Sequence, residues 1–226
     1  SGTTPIPTGT NWADYLYWNN NTSSWVIGSG NITLGQNAGQ TAQGTNAVAL
    51  GIQAGQTTQG TNSVAIGNTA GQYSQGSYNI AIGYQAGQTY QAITATQGSC
   101  SMAIGTNAGQ STQGVNSIAI GYNSGQISQG SGSVSLGTLS AQSNQNTFAV
   151  AIGYSAGQNN QGTGSVVIGV NAATINQGSS AVAIGNQTGR GNQGSSAVAI
   201  GYRSGQTNQG LNSVAIGSQS GQFTQG

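Results

Sequence analysis

From residue 32 onward the chain repeats one short alternation: a β-branched or similar apolar residue, a small residue, Ile or Leu, then a closing glycine. Ile32-Thr33-Leu34-Gly35 opens the series, Val64-Ala65-Ile66-Gly67 is a typical copy, and Val214-Ala215-Ile216-Gly217 ends it. The closing glycines are Gly35, Gly51, Gly67, Gly83, Gly105, Gly121, Gly137, Gly153, Gly169, Gly185, Gly201 and Gly217, separated by ten intervals of 16 residues and one of 22. Apolar–small–apolar alternation bounded by glycine predicts a short strand, and glycine recurs too densely for any helix to persist. A fixed short period means that each unit stacks on the next.

Between these apolar stretches runs a polar one, Gln-x-x-Gln, as in Gln56-Thr57-Thr58-Gln59, which predicts a second strand in every turn. The corners are Gly-x-x-Ala-Gly and Gln-Gly-x-Asn, rich in residues that tolerate positive φ. The expected fold is all-β: a parallel β-solenoid, or β-roll, with 16-residue turns, two short strands per turn and about twelve rungs. At the usual strand spacing the rungs would form a rod roughly 55–60 Å long.

Stacking also gives the glutamines a role. Gln40, Gln56, Gln72, Gln88, Gln110, Gln126, Gln142, Gln158, Gln206 and Gln222 fall in one column; Gln43, Gln59, Gln75, Gln97, Gln113, Gln129, Gln161, Gln177, Gln193, Gln209 and Gln225 fall in another. Identical amides one rung apart can hydrogen-bond along the stack. Gln56, Gln72 and Gln75, with Ile66, Ile120, Ile152 and the corner glycines Gly67 and Gly121, are the expected structural ladder; a polar groove for a ligand is the alternative use of the amides. Within each strand the two large residues share one face and the small residue takes the other. Either the large ones fill the coil and leave a small-residue stripe outside, or they point outward as an apolar stripe. Both arrangements predict self-association, with a closed trimer as the expected form.

Two regions break the period. Residues 1–31 carry all three tryptophans, Trp12, Trp18 and Trp25, and the run Tyr15–Trp18, a polar link and Trp25-Val26-Ile27 predict a β-hairpin. This module is expected to cap the solenoid of residues 32–226 or to nucleate a trimer; an aromatic sugar-binding patch is the sharper alternative. The longer interval places about six extra residues around Gln91–Gln97, a loop in which Ile93 and Thr94 are candidate contacts. Tyr84, Tyr122, Tyr154 and Tyr202 share a column just past the closing glycine, as contact residues or as a stack of rings. The first residues, Ser1-Gly2-Thr3-Thr4, suggest a processed or cut end, and the turn ending at Gly226 suggests that more chain follows or that copies meet end to end.

Composition narrows the chemistry. Of 226 residues only Asp14, Arg190 and Arg203 are charged, and there is no histidine, lysine or glutamate. The many hydroxyls therefore have no base to activate them, so the chain is expected not to be an enzyme. One Asp and one Cys cannot supply a zinc or calcium site, and no cofactor is expected. A net charge of +1 argues against nucleic acid. No apolar run is long enough to span a membrane as a helix. Cys100 has no partner in its own chain and is expected to be a half-buried thiol. Asn20, Asn21, Asn31 and Asn186 begin glycosylation sequons, which matter only in a secretory setting.

The unit Asn-Ser-Val-Ala-Ile-Gly at Asn62–Gly67 and Asn212–Gly217, with Ile118 in the copy at Asn116–Gly121, resembles the head repeat of YadA-type trimeric autotransporter adhesins, whose turns are shorter than the 16 residues here. The fuller unit Ala-Ile-Gly-Tyr-x-Ala-Gly-Gln-x-x-Gln-Gly, seen at Ala199–Gly210 with Ser204 in place of Ala, is similar to repeats of giant-virus proteins and phage tail fibres. These resemblances imply a trimeric, extracellular or virion-borne fibre that attaches to a host-surface glycan or protein. The expected function is a non-enzymatic structural and adhesive fibre segment. Two alternatives stand beside it. One is an ice-binding solenoid using the column of Thr58, Ser74, Thr112, Ser128, Asn160, Asn192 and Asn208. The other is the subunit of a self-polymerising filament.

Overall fold

The computed structural model describes residues 5–28, 30–91 and 100–225. Within them the repeat winds as a parallel β-solenoid. Three-residue strands from β3 (Ile32–Leu34) to Val214–Ile216 form a 12-stranded sheet, and those from β4 (Thr41–Gln43) to Thr207–Gln209 form an 11-stranded one. Successive rungs sit in register, with Val64 beside Ile80, Ala65 beside Ala81 and Ile66 beside Ile82. The period thus places like residues over like, and each column of the sequence becomes a file along the rod.

The second strand is less regular than its polar pattern suggests. Only its outer residues pair, Thr57 with Tyr73 and Gln59 with Gln75. The middle residue, Thr58, has φ of 54°, and the described residues of its file from Ala42 to Asn208 are likewise left-handed. The segment is a tight arc rather than an extended strand, which suits Asn best among residues with a Cβ. In rungs where this position is Asn the side chains bond in series, from Asn144 to Asn160 at 3.0 Å and on to Asn176, Asn192 and Asn208. At the opposite corner Gly67 has φ of 126°, and a Cβ there would lie 2.6 Å from the Gly83 carbonyl oxygen. Both the conformation and the close stacking of rungs require glycine.

The small residues face inward. Ala65, Ala81, Ala103 and Ala119 are completely buried, together with Ala54, Ala70, Ala86 and Ala108 from the neighbouring corner. Val64 and Ile66 point outward and are only half buried. Of the two arrangements open to the sequence, the apolar stripe is therefore the outer one. A second alanine cluster, centred on Ala151, Ala156 and Val167, fills the later rungs. Between the two, Ser124, Ser135 and Ser140 form a buried polar plug: the Ser124 and Ser135 hydroxyls meet at 2.7 Å, and Ser135 donates to the Ser140 carbonyl at 2.7 Å.

Glutamines take the remaining interior. Gln59 and Gln75 are about as buried as any alanine, each 1% exposed. Gln59 Nε2 donates to the Val48 carbonyl across the coil at 2.8 Å and to Gln75 Oε1 on the next rung at 3.2 Å. The two sheets are held apart by one amide side chain, so the inward file is filled by small residues, with Val167 its one large described member. A second file, Gln40, Gln56 and Gln72, lies nearer the surface and runs the other way: Gln72 donates back to Gln56, and Gln56 to Gln40, both at 2.9 Å. The inner ladder's direction is fixed because a flipped amide would aim its oxygen at the Val48 carbonyl.

One column needs correcting. The inner file runs through Gln91, paired with Gln75 and Gln113, and not through Gln97; Gln145 also belongs to it. The extra residues therefore follow Gln91. Gln97, with Ile93 and Thr94, lies outside the described residues. At the base of this insertion stands buried Asn79, where every other rung has Ser or Ala except the first, which has Asn31. Its Nδ2 donates to the Gln91 carbonyl at 2.9 Å, and its Oδ1 accepts the Ser101 N–H at 2.8 Å. Nothing in the repeat pattern marks Asn79 as a clamp. Cys100, expected half buried, is exposed.

Ahead of the solenoid, β1 (Tyr15–Asn19) and β2 (Ser24–Gly28) form the expected antiparallel hairpin. Trp18 sits opposite Trp25, edge to face at 5.7 Å. Trp12 belongs to neither strand and is 100% exposed, so it packs against nothing that a cap would cover.

Candidate functional site

Two surfaces stand out. The first is the outer face of the 12-stranded sheet. It presents a Val file (Val64, Ile80, Met102, Ile118, Val134) and a parallel Ile or Leu file that includes Ile66, Ile120 and Ile152. Because the residues between them point inward, no polar group interrupts the two files. Leu50, Leu136 and Ile168 are exposed outright. With about eleven spacings between rungs, the face is roughly 53 Å long and about 10 Å wide. Isolated exposed apolar residues are ordinary, but a continuous band of this extent is uncommon on a monomer.

Beside the Ile file runs the column of Tyr84, Tyr122, Tyr154 and Tyr202, each about half exposed. Thr106 and Thr138 stand between the first three. Among the described residues the ring pairs are Tyr15–Tyr17 and Trp18–Trp25, so these four tyrosines do not stack on one another. Tyr202 instead carries the Arg203 guanidinium 5.0 Å above its ring, and Arg203 Nε donates to Gln187 Oε1 at 2.8 Å. The tyrosines extend the apolar band and edge it with hydroxyls, as contact residues commonly do.

The second surface is a cleft of roughly 690 Å³ between the hairpin and the first rung. Tyr15 builds its closed end. Its hydroxyl donates to the Asn31 carbonyl at 2.7 Å and accepts the Thr33 N–H at 2.8 Å, satisfying two groups on the outer edge of β3. Gly28 permits this reach, since a Cβ there would lie 2.5 Å from the Tyr15 ring. No charged side chain lines the cleft; its walls come from Tyr17, Trp18, Asn19, Asn37, Gln40 and Gln43 among others. Of the three tryptophans named from sequence, only Trp18 borders it. The residue that ties hairpin to solenoid is Tyr15, whose hydroxyl contacts no composition signal reveals.

No group of three or more His, Cys, Asp or Glu comes together among the described residues. Asp14 accepts the Thr10 and Asn11 N–H groups at 2.8 Å, and these backbone hydrogen bonds lower its pKa from the ordinary carboxylate value. Its task is to fix a turn. No helix among the described residues is long and apolar enough to cross a membrane.

Two stretches of the chain, residues 42–70 and 98–124, match the family model of the YadA head domain repeat. Together they cover about a quarter of the 226 residues. Neither the comparison with curated proteins nor that with solved structures finds a match.

Proposed function

We propose that this chain is a non-enzymatic segment of a structural, adhesive fibre, displayed outside a cell or on a virion, in which three copies pack along their Val and Ile faces. The outward orientation of those two files carries the reading. An uninterrupted apolar band along a rod invites association, and a closed three-fold arrangement covers it without open-ended sticking. The two matches to a YadA head repeat support the same assignment, since heads of that kind are surface-exposed adhesin modules that assemble as trimers. The near-absence of titratable side chains suits a passive scaffold.

The test is the mass of the purified protein in solution. A particle three times 22.3 kDa at micromolar concentration is expected; a monomer would refute the assembly. Retention of that particle on immobilised host-surface glycans or matrix proteins, compared with an unrelated β-solenoid, then tests attachment.

A further inference from the structure

The hairpin covers only half of the first rung. Tyr15 occupies the edge of β3, but the edge of β4 opens into the cleft. Elsewhere in the solenoid such an arc accepts three backbone bonds from the rung before it, as the second rung does from the first. Gly39 N–H reaches the Ala54 carbonyl at 3.0 Å, Thr41 N–H reaches Gln56 at 2.9 Å, and Gly44 N–H reaches Gln59 at 2.6 Å. Two side-chain bonds join them, from Gln43 Nε2 to Gln59 Oε1 at 3.2 Å and from Gln56 Nε2 to Gln40 Oε1 at 2.9 Å.

On the first rung the equivalent groups are the carbonyls of Ala38, Gln40 and Gln43, the Oε1 of Gln43 and the Nε2 of Gln40. Ala38, Gln40 and Gln43 all line the cleft. None of these five groups has a hydrogen-bond partner among the described residues. The two amide ladders run in opposite senses, so they end here as one free acceptor and one free donor. Water serves such groups individually, but their spacing is that of a strand.

We propose that this cleft is a strand-addition site that takes an extended peptide of the form Gly-Gln-x-x-Gln-Gly as an extra parallel arc on β4. The peptide's first, third and sixth N–H groups bond to the carbonyls of Ala38, Gln40 and Gln43. Its second glutamine donates to Gln43 Oε1, and its first accepts from Gln40 Nε2. Tyr17 and Trp18 on the hairpin form the outer wall. Main-chain bonds supply attraction and the paired amides supply selectivity, as in other β-augmentation sites. The hairpin thereby acts as a half-cap that closes one strand edge and leaves the other as a template. This inference does not depend on the trimer.

The test uses the full chain and a blocked, fluorescent Gly-Gln-Thr-Thr-Gln-Gly peptide, followed by anisotropy. Saturable binding is expected. It should be abolished by N-methylation of the peptide's third residue and weakened about fivefold by Gln40→Ala in the protein, the loss of a single hydrogen bond. Gln40 is exposed, so that variant keeps the fold. Absence of binding at millimolar peptide overturns the proposal. So does binding indifferent to N-methylation or to Gln40→Ala, and so does a cleft that takes a neutral oligosaccharide and no peptide.

Discussion

Gln91 donates its side-chain N–H to Gln113 at 2.9 Å, although 22 residues separate them rather than the usual 16. The inner ladder crosses the insertion without a break, and Asn79 holds both sides of it. The rungs before and after already stack as if the extra residues were missing. Deleting residues 92–97 joins Gln91 to Gly98 and restores the Gln-Gly corner found in most rungs. Thermal melts followed by circular dichroism should show a stability change under about 1 kcal/mol, since closing a loop of this length costs little. A larger loss would mean that the insertion itself braces the coil.

Breaking the ladder is a different matter. Gln75 is buried, bonded to the Val64 carbonyl at 2.9 Å and to Gln91 at 3.1 Å, and it receives the Gln59 amide. Gln75→Ala leaves those partners unsatisfied in a dry interior and opens a cavity. The expected cost is about 2–4 kcal/mol in chemical denaturation. Gln126→Ala, in the outer ladder where water can reach the freed groups, should cost less than about 1 kcal/mol. Equal losses would show that the inner amides carry no special weight.

This division of labour was only partly legible in the sequence. The glycine period fixed rung count, register and corners because each column recurs often enough to average out exceptions. It could not say which face of Val64-Ala65-Ile66 turns inward, because an alternating pattern reads the same when flipped. The usual preference for burying the larger residues fails here because Gln59 and its equivalents already span the interior, and the residues beside them are mostly Ala, with Ser135 and Val167 as exceptions. Counting back from Gly105 puts Gln97 in the ladder, whereas the chain keeps register up to Gln91, which pairs with Gln113. Tyr15 and Asn79 each act through two hydrogen bonds of one side chain, which no repetition announces.

The outward Ile file makes a prediction about assembly. Ile120 and Ile152 lie two rungs apart and are half buried in the single chain. Replacing both by Asp should reduce the particle to a monomer by light scattering while leaving the far-ultraviolet dichroism unchanged. Burying two carboxylates against an apolar partner is prohibitive, whereas exposing them to water on one chain is not. An unchanged mass would move the interface elsewhere on the rod.

The corners can be probed in both directions. Gly67→Ala places a methyl group 2.6 Å from the Gly83 oxygen at a φ of 126°, and should cost about 3 kcal/mol or more, or prevent folding. Ala173 is the natural counter-case: it stands at φ 41° where most rungs have glycine. The acceptor Gln177 Oε1, four residues on, is buried without a partner. Ala173→Gly relieves the backbone and should leave stability unchanged or raise it by up to about 1 kcal/mol. A clear loss of stability in that variant would show that the methyl group packs usefully against the second alanine cluster.

Stability should also be nearly indifferent to pH. With no histidine, lysine or glutamate, Asp14 is the one side-chain carboxylate. Its folded pKa is lowered by the backbone N–H groups of Asn11 and Thr10. A lowered folded pKa contributes stability above the unfolded value of 3.8, and that contribution is lost as pH falls through the folded value. Asp14 is partly exposed and fastens only the turn at Thr10–Asp14, outside the stacked rungs. Melting temperatures should therefore stay level from about pH 5 to 9. Below the carboxylate range any decline should be small, and Asp14→Asn should remove it. A transition near neutral pH, or a large acid-induced unfolding that survives Asp14→Asn, would contradict a fold held by uncharged amide ladders.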